Sequence, residues 1–249
     1  MSGVLAMRGI RGGVGTTTLL AGIGDALHRM GERVLLVDAC PENMLGLHFN
    51  MPVDEAAGWA QADLQGADWR SAAFAVQEGL VVLPYGQVPG DGPEILESRL
   101  RDHAGLWQER IHELSGRFDW VLFDLPQRLP AHVAALMGDA PNVIPLCVLN
   151  PDPACHVLLQ RRRPAPERTF FLANGFDPSV QLQRDLVQLW STRLGRKWLS
   201  RTVHEDAAVP EALAMKSPIG RYRPESLASA DFESLAIWCL AEAGRGGRG

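Results

Sequence analysis

The segment 11–18 constrains this chain more than any other part of the sequence. It reads Arg-Gly-Gly-Val-Gly-Thr-Thr-Thr, it follows an apolar run at 4–10, and an amphipathic helical pattern follows it. Strand, glycine-rich loop and helix in this order are the setting of a phosphate-binding loop, where backbone N–H groups and the helix dipole face one anion. The loop departs from the usual Gly-Lys-Ser/Thr sequence, because Thr16 stands where the phosphate-binding lysine is expected.

Short apolar runs alternate with longer amphipathic runs along the whole chain. The apolar runs predict strands at 4–10, 33–39, 80–84, 120–125, 143–149, 169–173 and 202–204. The amphipathic runs predict helices near 17–30, 54–64, 95–115, 131–137, 154–160, 180–194 and 227–241. This alternation predicts an α/β fold with a single doubly wound, mostly parallel sheet and helices on both faces. We expect one nucleotide-binding domain over 1–243 and a disordered, glycine-rich tail over 244–249.

The composition argues against several classes of function. The net charge of −5 offers no electrostatic attraction to DNA or to anionic membranes. Apolar stretches fall short of the roughly 20 residues of a membrane span, and the early glycine loop leaves no room for a signal peptide. The four cysteines lack CxxC spacing, so we expect neither a disulfide framework nor a zinc site. These features favour a cytoplasmic protein that binds no nucleic acid and does not insert into a membrane.

Two aspartates end apolar strands at the edge where doubly wound sheets bind ligands. Asp38 ends the second predicted strand, and Asp124 ends the run 120–125. Carboxylates at the C-terminal ends of parallel strands face the ligand crevice, and oxygen ligands suit Mg²⁺. Together with Thr17, which follows the lysine position of the loop, they predict a magnesium site. The alternative is that each aspartate serves only the turn at its strand end.

The loop 11–18 and the two predicted strands that end in Asp38 and Asp124 resemble the corresponding segments of the ParA/MinD family of deviant phosphate-loop ATPases. The family loop has a signature lysine and then Gly-Gly-x-Gly-Lys-Thr-Thr; here Arg11 holds the signature position and Thr16 holds that of the loop lysine. The resemblance implies ATP and Mg²⁺ as ligands, and a face-to-face homodimer in which residue 11 reaches the partner's nucleotide. The nucleotide-binding residues that it implies in the loop are Arg11, Gly12, Gly13, Val14, Gly15, Thr16, Thr17 and Thr18.

A second departure from the family concerns hydrolysis. The matching family segment reads Asp-x-Asp-Pro, and its second aspartate positions the attacking water; this chain has Cys40 there. A thiol with an ordinary pKa of about 8.5 is a poor acceptor for water. Because the loop lysine and this carboxylate are both replaced, we expect hydrolysis to be very slow or absent.

The resemblance extends to the C-terminal part of the chain. Asn174 ends a predicted strand where the family has an asparagine that reads adenine, and an amide can both donate and accept. The alternative is a turn role beside Gly175. The stretch 216–228 is similar to a family segment whose proline loop covers the adenine, which implies a place at the nucleotide for Pro218.

Within this family, the chain is most similar to a branch encoded in bacterial cellulose-synthase operons. The shared features are the paired departures in the loop and at Cys40, with aromatic segments around Trp59, Trp69 and Tyr85; core packing is the alternative reading of the aromatic residues. The branch implies a regulatory subunit that works as a nucleotide-dependent dimeric switch. It also implies a BcsR-like small subunit, other cellulose-secretion regulatory subunits and, indirectly, the membrane synthase as partners, which would recruit the protein to the inner membrane.

Partition and cell-division positioning ATPases of the same family are the alternative function. A partition ATPase needs a basic surface near the last strand, where this chain has Glu205 and Asp206. A membrane-cycling ATPase needs a lysine-rich amphipathic C-terminal helix, whereas 231–243 has acidic polar positions. An iron–sulfur carrier needs paired cysteines, which the chain lacks. The basic run 161–163 is typical of a solvated helix end, with a partner or nucleotide contact as its alternative.

Overall fold

A single eight-stranded sheet forms the centre of the computed structural model, which describes residues 3–138, 142–161 and 166–246. The strands are β1 (Gly3–Gly9), β2 (Val34–Asp38), β3 (Phe74–Gln77), β4 (Leu80–Leu83), β5 (Trp120–Leu125), β6 (Val143–Leu149), β7 (Phe170–Phe176) and β8 (Trp198–His204). Their order is β3-β4-β2-β5-β1-β6-β7-β8. All neighbours pair in parallel except β3 and β4, which confirms the predicted doubly wound, mostly parallel sheet.

Helices follow most of the strands, as expected of a doubly wound fold. They are α1 (Thr16–Arg29), α2 (Trp59–Gln65), α3 (Gly92–Arg99), α4 (Leu106–Glu113), α5 (Ala131–Ala134), α6 (Pro153–Arg161), α7 (Gln181–Leu194), α8 (Ala208–Ala214), α9 (Ile219–Tyr222) and α10 (Leu227–Gly246). A 3₁₀ helix at Leu45–Phe49 follows β2. None of the helices in the described ranges combines the length and the apolar character that a membrane crossing requires.

The sheet separates two hydrophobic cores. Side chains of a strand alternate between its faces, so that Leu5 and Met7 of β1 enter one core while Val4 and Ala6 enter the other. The first core lies under α1 and α6–α10, and the second lies under α2–α5. Since β1, β2, β5 and β6 are buried on both faces, their continuous apolar sequences are explained.

Several elements differ from the sequence predictions. The short strand β3 was not predicted, because its half-buried, alternating residues give only a weak signal at the sheet edge. The helix predicted over 95–115 is wrong: α3 and α4 are separate helices. The helix predicted near 54–64 begins only at Trp59, and α8 and α9 were not predicted.

The C-terminal end of the chain continues as helix further than its glycine content predicts. Residues 244–246 extend α10, whereas 247–249 lie outside the described residues. Of the basic run 161–163, Arg161 ends α6, and the other two arginines also lie outside the described residues.

Candidate functional site

The loop between β1 and α1 has a backbone that only glycine fits well. Gly13 and Gly15 have φ angles of 75° and 84°, in the left-handed region that favours glycine. At Gly15 an added Cβ would also lie 2.4 Å from Nδ2 of Asn174. The space around Gly12 is open, so another molecule can approach the backbone there. The loop therefore leads into the N-terminus of α1 as an anion-binding loop does.

Four side chains converge beside this loop. Asp38 and Asp124 are paired positions on the neighbouring strands β2 and β5. The Oγ1 of Thr17 donates to Oδ2 of Asp124 at 2.6 Å. The possible ligand atoms of Asp38, Cys40 and Asp124 all lie within 4.8 Å of one another. The structure thus brings together the three residues that the sequence assigns to Mg²⁺, and adds Cys40 to the group.

Two buried carboxyl groups with raised pKa values, one of them with an oxygen that is unpaired within the described residues, favour a bound cation in this cluster. Burial raises the pKa of Asp38, although backbone N–H groups of Leu45 and Cys40 oppose the shift. Burial, and then the charge of Asp38, raise the pKa of Asp124 as well. Within the described part of the chain, the buried Oδ1 of Asp124 has no hydrogen-bond partner. The hard oxygen donors of Thr17, Asp38 and Asp124 fit Mg²⁺, which would relieve the repulsion.

Cys40 lies at this cluster as a neutral thiol. Its Sγ donates to the backbone oxygen of Asp124 at 3.7 Å. Burial, followed by the charges of Asp124 and Asp38, raises the thiol pKa. The side chain therefore does not supply the negative charge that orients a water molecule.

Asp38 is fixed by residues whose role the sequence does not reveal. The backbone N–H of Leu45 donates to its Oδ2 at 2.9 Å, and Nε1 of Trp59 donates to its backbone oxygen at 2.7 Å. Gly58, the residue before Trp59, lies too close to Gly86 for a side chain, because an added Cβ would be 2.1 Å from the backbone nitrogen of Gly86. Sequence reasoning offers core packing for Trp59; the side chain is fully buried and also holds Asp38.

Arg11 lies in an ion pair within its own chain. Its Nη2 is 2.6 Å from Oδ2 of Asp152, and its Nη1 donates to the backbone oxygen of Gly12 at 2.9 Å. The hydrogen bond with Asp152 raises the pKa of Arg11. Asp152 also accepts the N–H of Cys155 at 2.7 Å, which caps α6. Nothing in the sequence pattern pointed to Asp152.

Asn174 and Pro218 lie in different places. The Nδ2 of Asn174 donates to the backbone oxygen of Val14 at 2.7 Å, so Asn174 does lie against the loop. Pro218 precedes α9, which is anchored to the middle of α1 by the 2.5 Å ion pair of Arg221 with Asp25. Asp25 is about 12 Å along the helix from Thr17 at 1.5 Å per residue. Pro218 itself is the residue before α9, and its contact with adenine stays a prediction.

Thr18 joins the loop to the segment after β2. Its Oγ1 lies 3.4 Å from Nε2 of His48, in the same 3₁₀ helix that begins with Leu45. Burial lowers the pKa of His48 to about 4, so the imidazole is neutral. Thr16 is the first residue of α1 and holds the lysine position without a charge.

The fold and this site define a phosphate-loop protein of the ParA/MinD type. MinD of Pyrococcus horikoshii, solved with Mg-ADP, matches with a TM-score of 0.72 and 23% identity over 100% of both chains. Cobyrinic acid a,c-diamide synthase of Mycobacterium smegmatis, solved with an ATP analogue and magnesium, matches with a TM-score of 0.72 and 20% identity over 100% of this chain and 98% of that chain. At these identities the likeness concerns the fold.

The chain belongs to the family of cellulose biosynthesis protein BcsQ, whose sequence model matches residues 1–240. It is 39% identical over 241 residues to that protein of Escherichia coli K12, covering 95% of this chain and 94% of the relative. For the Salmonella typhimurium protein the identity is 36% over 246 residues, with coverage of 95% and 94%. The predicted branch of the ParA/MinD family is therefore confirmed.

Proposed function

We propose that this protein is an ATP-binding regulatory subunit of a bacterial cellulose synthesis and secretion complex. It works as a nucleotide-dependent dimeric switch with very slow or no hydrolysis. Family membership supports the link to cellulose. The observation that carries the nucleotide part is the convergence of Thr17, Asp38 and Asp124 beside the loop 11–18. The Mg-ADP and ATP-analogue complexes of the two structural relatives support the same ligands.

The proposal assigns residues of this chain to the phosphates and to the metal ion. The loop and the first turn of α1 would take the phosphates, and Thr17, Asp38 and Asp124 would hold Mg²⁺. The ion neutralises phosphate charge when it is bound. Asp38 is already oriented by Leu45 and Trp59, so little rearrangement is needed. Calorimetry should detect ATP binding in the presence of Mg²⁺ and no comparable binding without the metal.

Slow hydrolysis follows from Thr16 and Cys40. Loss of a charged group at the γ-phosphate and loss of a water-orienting carboxylate each cost orders of magnitude in rate. The double variant Thr16→Lys, Cys40→Asp should therefore hydrolyse ATP faster than the parent in a phosphate-release assay. Parent turnover above about 1 s⁻¹, within the range of competent enzymes, would contradict the proposal.

The dimer proposal depends on Arg11. We propose that ATP draws two protomers together and that Arg11 then reaches the nucleotide of the other protomer, where its fork suits phosphate oxygens. Light scattering should show an ATP-dependent dimer for the parent. The variant Arg11→Ala should remain a folded monomer in the presence of ATP.

The output of the switch is proposed to pass through protein contacts. A BcsR-like small subunit should copurify with the chain from its host, and other secretion subunits should link it to the membrane synthase and so to the inner membrane. A deletion strain complemented with wild type should make cellulose, scored by dye binding, whereas Arg11→Ala should restore little. Normal cellulose in the uncomplemented deletion strain would remove the functional claim.

The alternative function is a ParA-like partition or MinD-like positioning ATPase. It is favoured by the 26% identity to MinD of Synechocystis, over 150 residues that cover 58% of this chain and 52% of that protein. A gel shift at about 150 mM salt tests the partition ATPase, since non-specific DNA binders have a Kd of roughly 10⁻⁴ to 10⁻⁶ M there. We expect no shift, because the net charge is −5.

A further inference from the structure

A cavity of about 410 Å³ opens next to the acidic pair, on the face of the sheet covered by α2–α5. Its volume falls within the roughly 300–1,000 Å³ of small-ligand sites. One wall is formed by the residues that follow Asp38, and another by those that follow Asp124. Four prolines line it, at positions 41, 93, 126 and 130. Proline side chains are apolar, and because proline fixes φ the backbone of these walls has little conformational freedom.

The interior of the cavity is aromatic. Tyr85 and His132 both line it and are each only 4% exposed. Within the described residues, the buried Nδ1 of His132 has no hydrogen-bond partner. Burial lowers the pKa of His132 to about 4, so its ring is neutral. A buried imidazole nitrogen without a protein partner is free to bond to water or to a ligand in the cavity.

The mouth of the cavity is acidic. Glu42, Glu94 and Glu97 line it against one cation, Arg128. Arg128 pairs with Glu97 through both of its terminal nitrogens, one of them at 2.8 Å. In the part of the chain that the structure describes, Glu42 and Glu94 are exposed and form no ion pair. Burial, followed by the charges of these glutamates, raises the pKa of Tyr85 to about 12.

We propose that this cavity binds an arginine side chain of a partner polypeptide. The stem of an arginine is apolar and suits the prolines that line the cavity. Its guanidinium group offers five donors in a planar fork, enough for Glu42 and Glu94 together. The pairing of Arg128 with Glu97 shows that carboxylates at this mouth accept such a fork. Lysine suits the site less, since an ammonium is a compact, strongly hydrated point charge.

This site goes beyond nucleotide binding and is adjacent to it. Pro41 and Pro126 lie two or three residues after the carboxylates Asp38 and Asp124. A rearrangement of these carboxylates around a cation would therefore shift two walls of the cavity. An arginine held between the walls would favour one arrangement over the other, which is the physical basis for coupling two sites.

The experiment compares two small probes of nearly equal shape on the full-length protein without nucleotide. They are N-acetyl-arginine amide and its uncharged analogue N-acetyl-citrulline amide. NMR titration should give the arginine probe a Kd on the order of 1 mM and the citrulline probe at least about fivefold weaker binding, as expected for loss of a charge-assisted contact. The resonances that shift should belong to residues 41–42, 93–97 and 126–132.

Two matched double variants test the carboxylates. Glu42→Gln with Glu94→Gln should weaken arginine binding about tenfold, whereas Glu78→Gln with Glu225→Gln removes the same charge at exposed positions elsewhere and should leave it unchanged. Equal binding of the two probes, or equal loss in the two variants, would overturn the proposal. Spermidine binding as tight as that of the arginine probe would also overturn it, in favour of a free polyamine. ATP binding measured on the same samples separates this result from the proposed function.

Discussion

Asp152→Asn is expected to tighten the ATP-dependent dimer. Arg11 is paired with Asp152 at 2.6 Å in the single chain, and in the proposed dimer it must leave this carboxylate to reach the nucleotide of the other protomer. Asparagine removes the charge and keeps an oxygen that accepts the N–H of Cys155, a bond of 2.7 Å in the parent. Since asparagine is as good a helix N-cap as aspartate, α6 should be unaffected.

The size of the effect follows from the exposure of the pair. The two side chains are 33% and 30% exposed, so solvent screens the interaction and its value is about 1 kcal/mol. Closing a dimer breaks two such pairs, one in each protomer. Removal of both should therefore favour the dimer by about 2 kcal/mol, which corresponds to roughly a 30-fold lower dissociation constant.

Analytical ultracentrifugation with saturating ATP and Mg²⁺ measures this constant directly. Asp185→Asn on α7 is the control, because it removes one exposed negative charge away from Arg11 and should leave the dimer unchanged. An Asp152→Asn protein that binds ATP normally but dimerises as weakly as the parent, or more weakly, would show that the ion pair does not restrain Arg11.

Three further predictions concern buried ionisable side chains. Arg110→Met should lower the free energy of unfolding, measured with urea, by about 3–5 kcal/mol. The variant leaves Asp63 without its cationic partner, which lies 2.6 Å away in the parent, and Asp63 is only 13% exposed. Adding Asp63→Leu should recover most of the loss. Burial lowers the pKa of His132 to about 4, whereas an unfolded histidine titrates near 6.5. Protons therefore bind the unfolded chain more tightly, and the free energy of unfolding should fall as the pH drops from about 6.5 to about 4. Denaturation curves of His132→Gln should show a smaller dependence on pH. Asp124→Asn should raise the melting temperature without ligands, by removing repulsion with Asp38, and should abolish the further rise given by Mg²⁺ and ATP.

The sequence predicts the parts of this fold that are buried on both faces. Runs such as 120–125 and 143–149 match β5 and β6 residue for residue, because a fully buried parallel strand has to be apolar throughout. The edge strand β3 gives a weak signal, since only every second residue is partly buried. The break between α3 and α4 is also hidden, because residues 100–105 carry no proline and end in a single glycine.

The sequence likewise predicts some residues of the candidate site and not others. Glycine spacing and strand-end aspartates locate Thr17, Asp38 and Asp124, because these residues occupy fixed positions relative to local elements. The contacts of Arg11 with Asp152, and of Trp59 with the backbone of Asp38, join segments that are distant in the chain, and no local pattern encodes them.

The position of β1 in the sheet has a consequence for how the protein is made. β1 lies between β5 and β6, so this strand pairs with strands that are synthesised much later; Thr17 and Asp124 alone are 107 positions apart. At the usual 5–20 residues per second, β1 waits on the order of 10 s for its neighbours. During that time its apolar residues lack the neighbouring strands that bury them in the folded sheet, and Thr17 lacks Asp124, its partner at the candidate magnesium site.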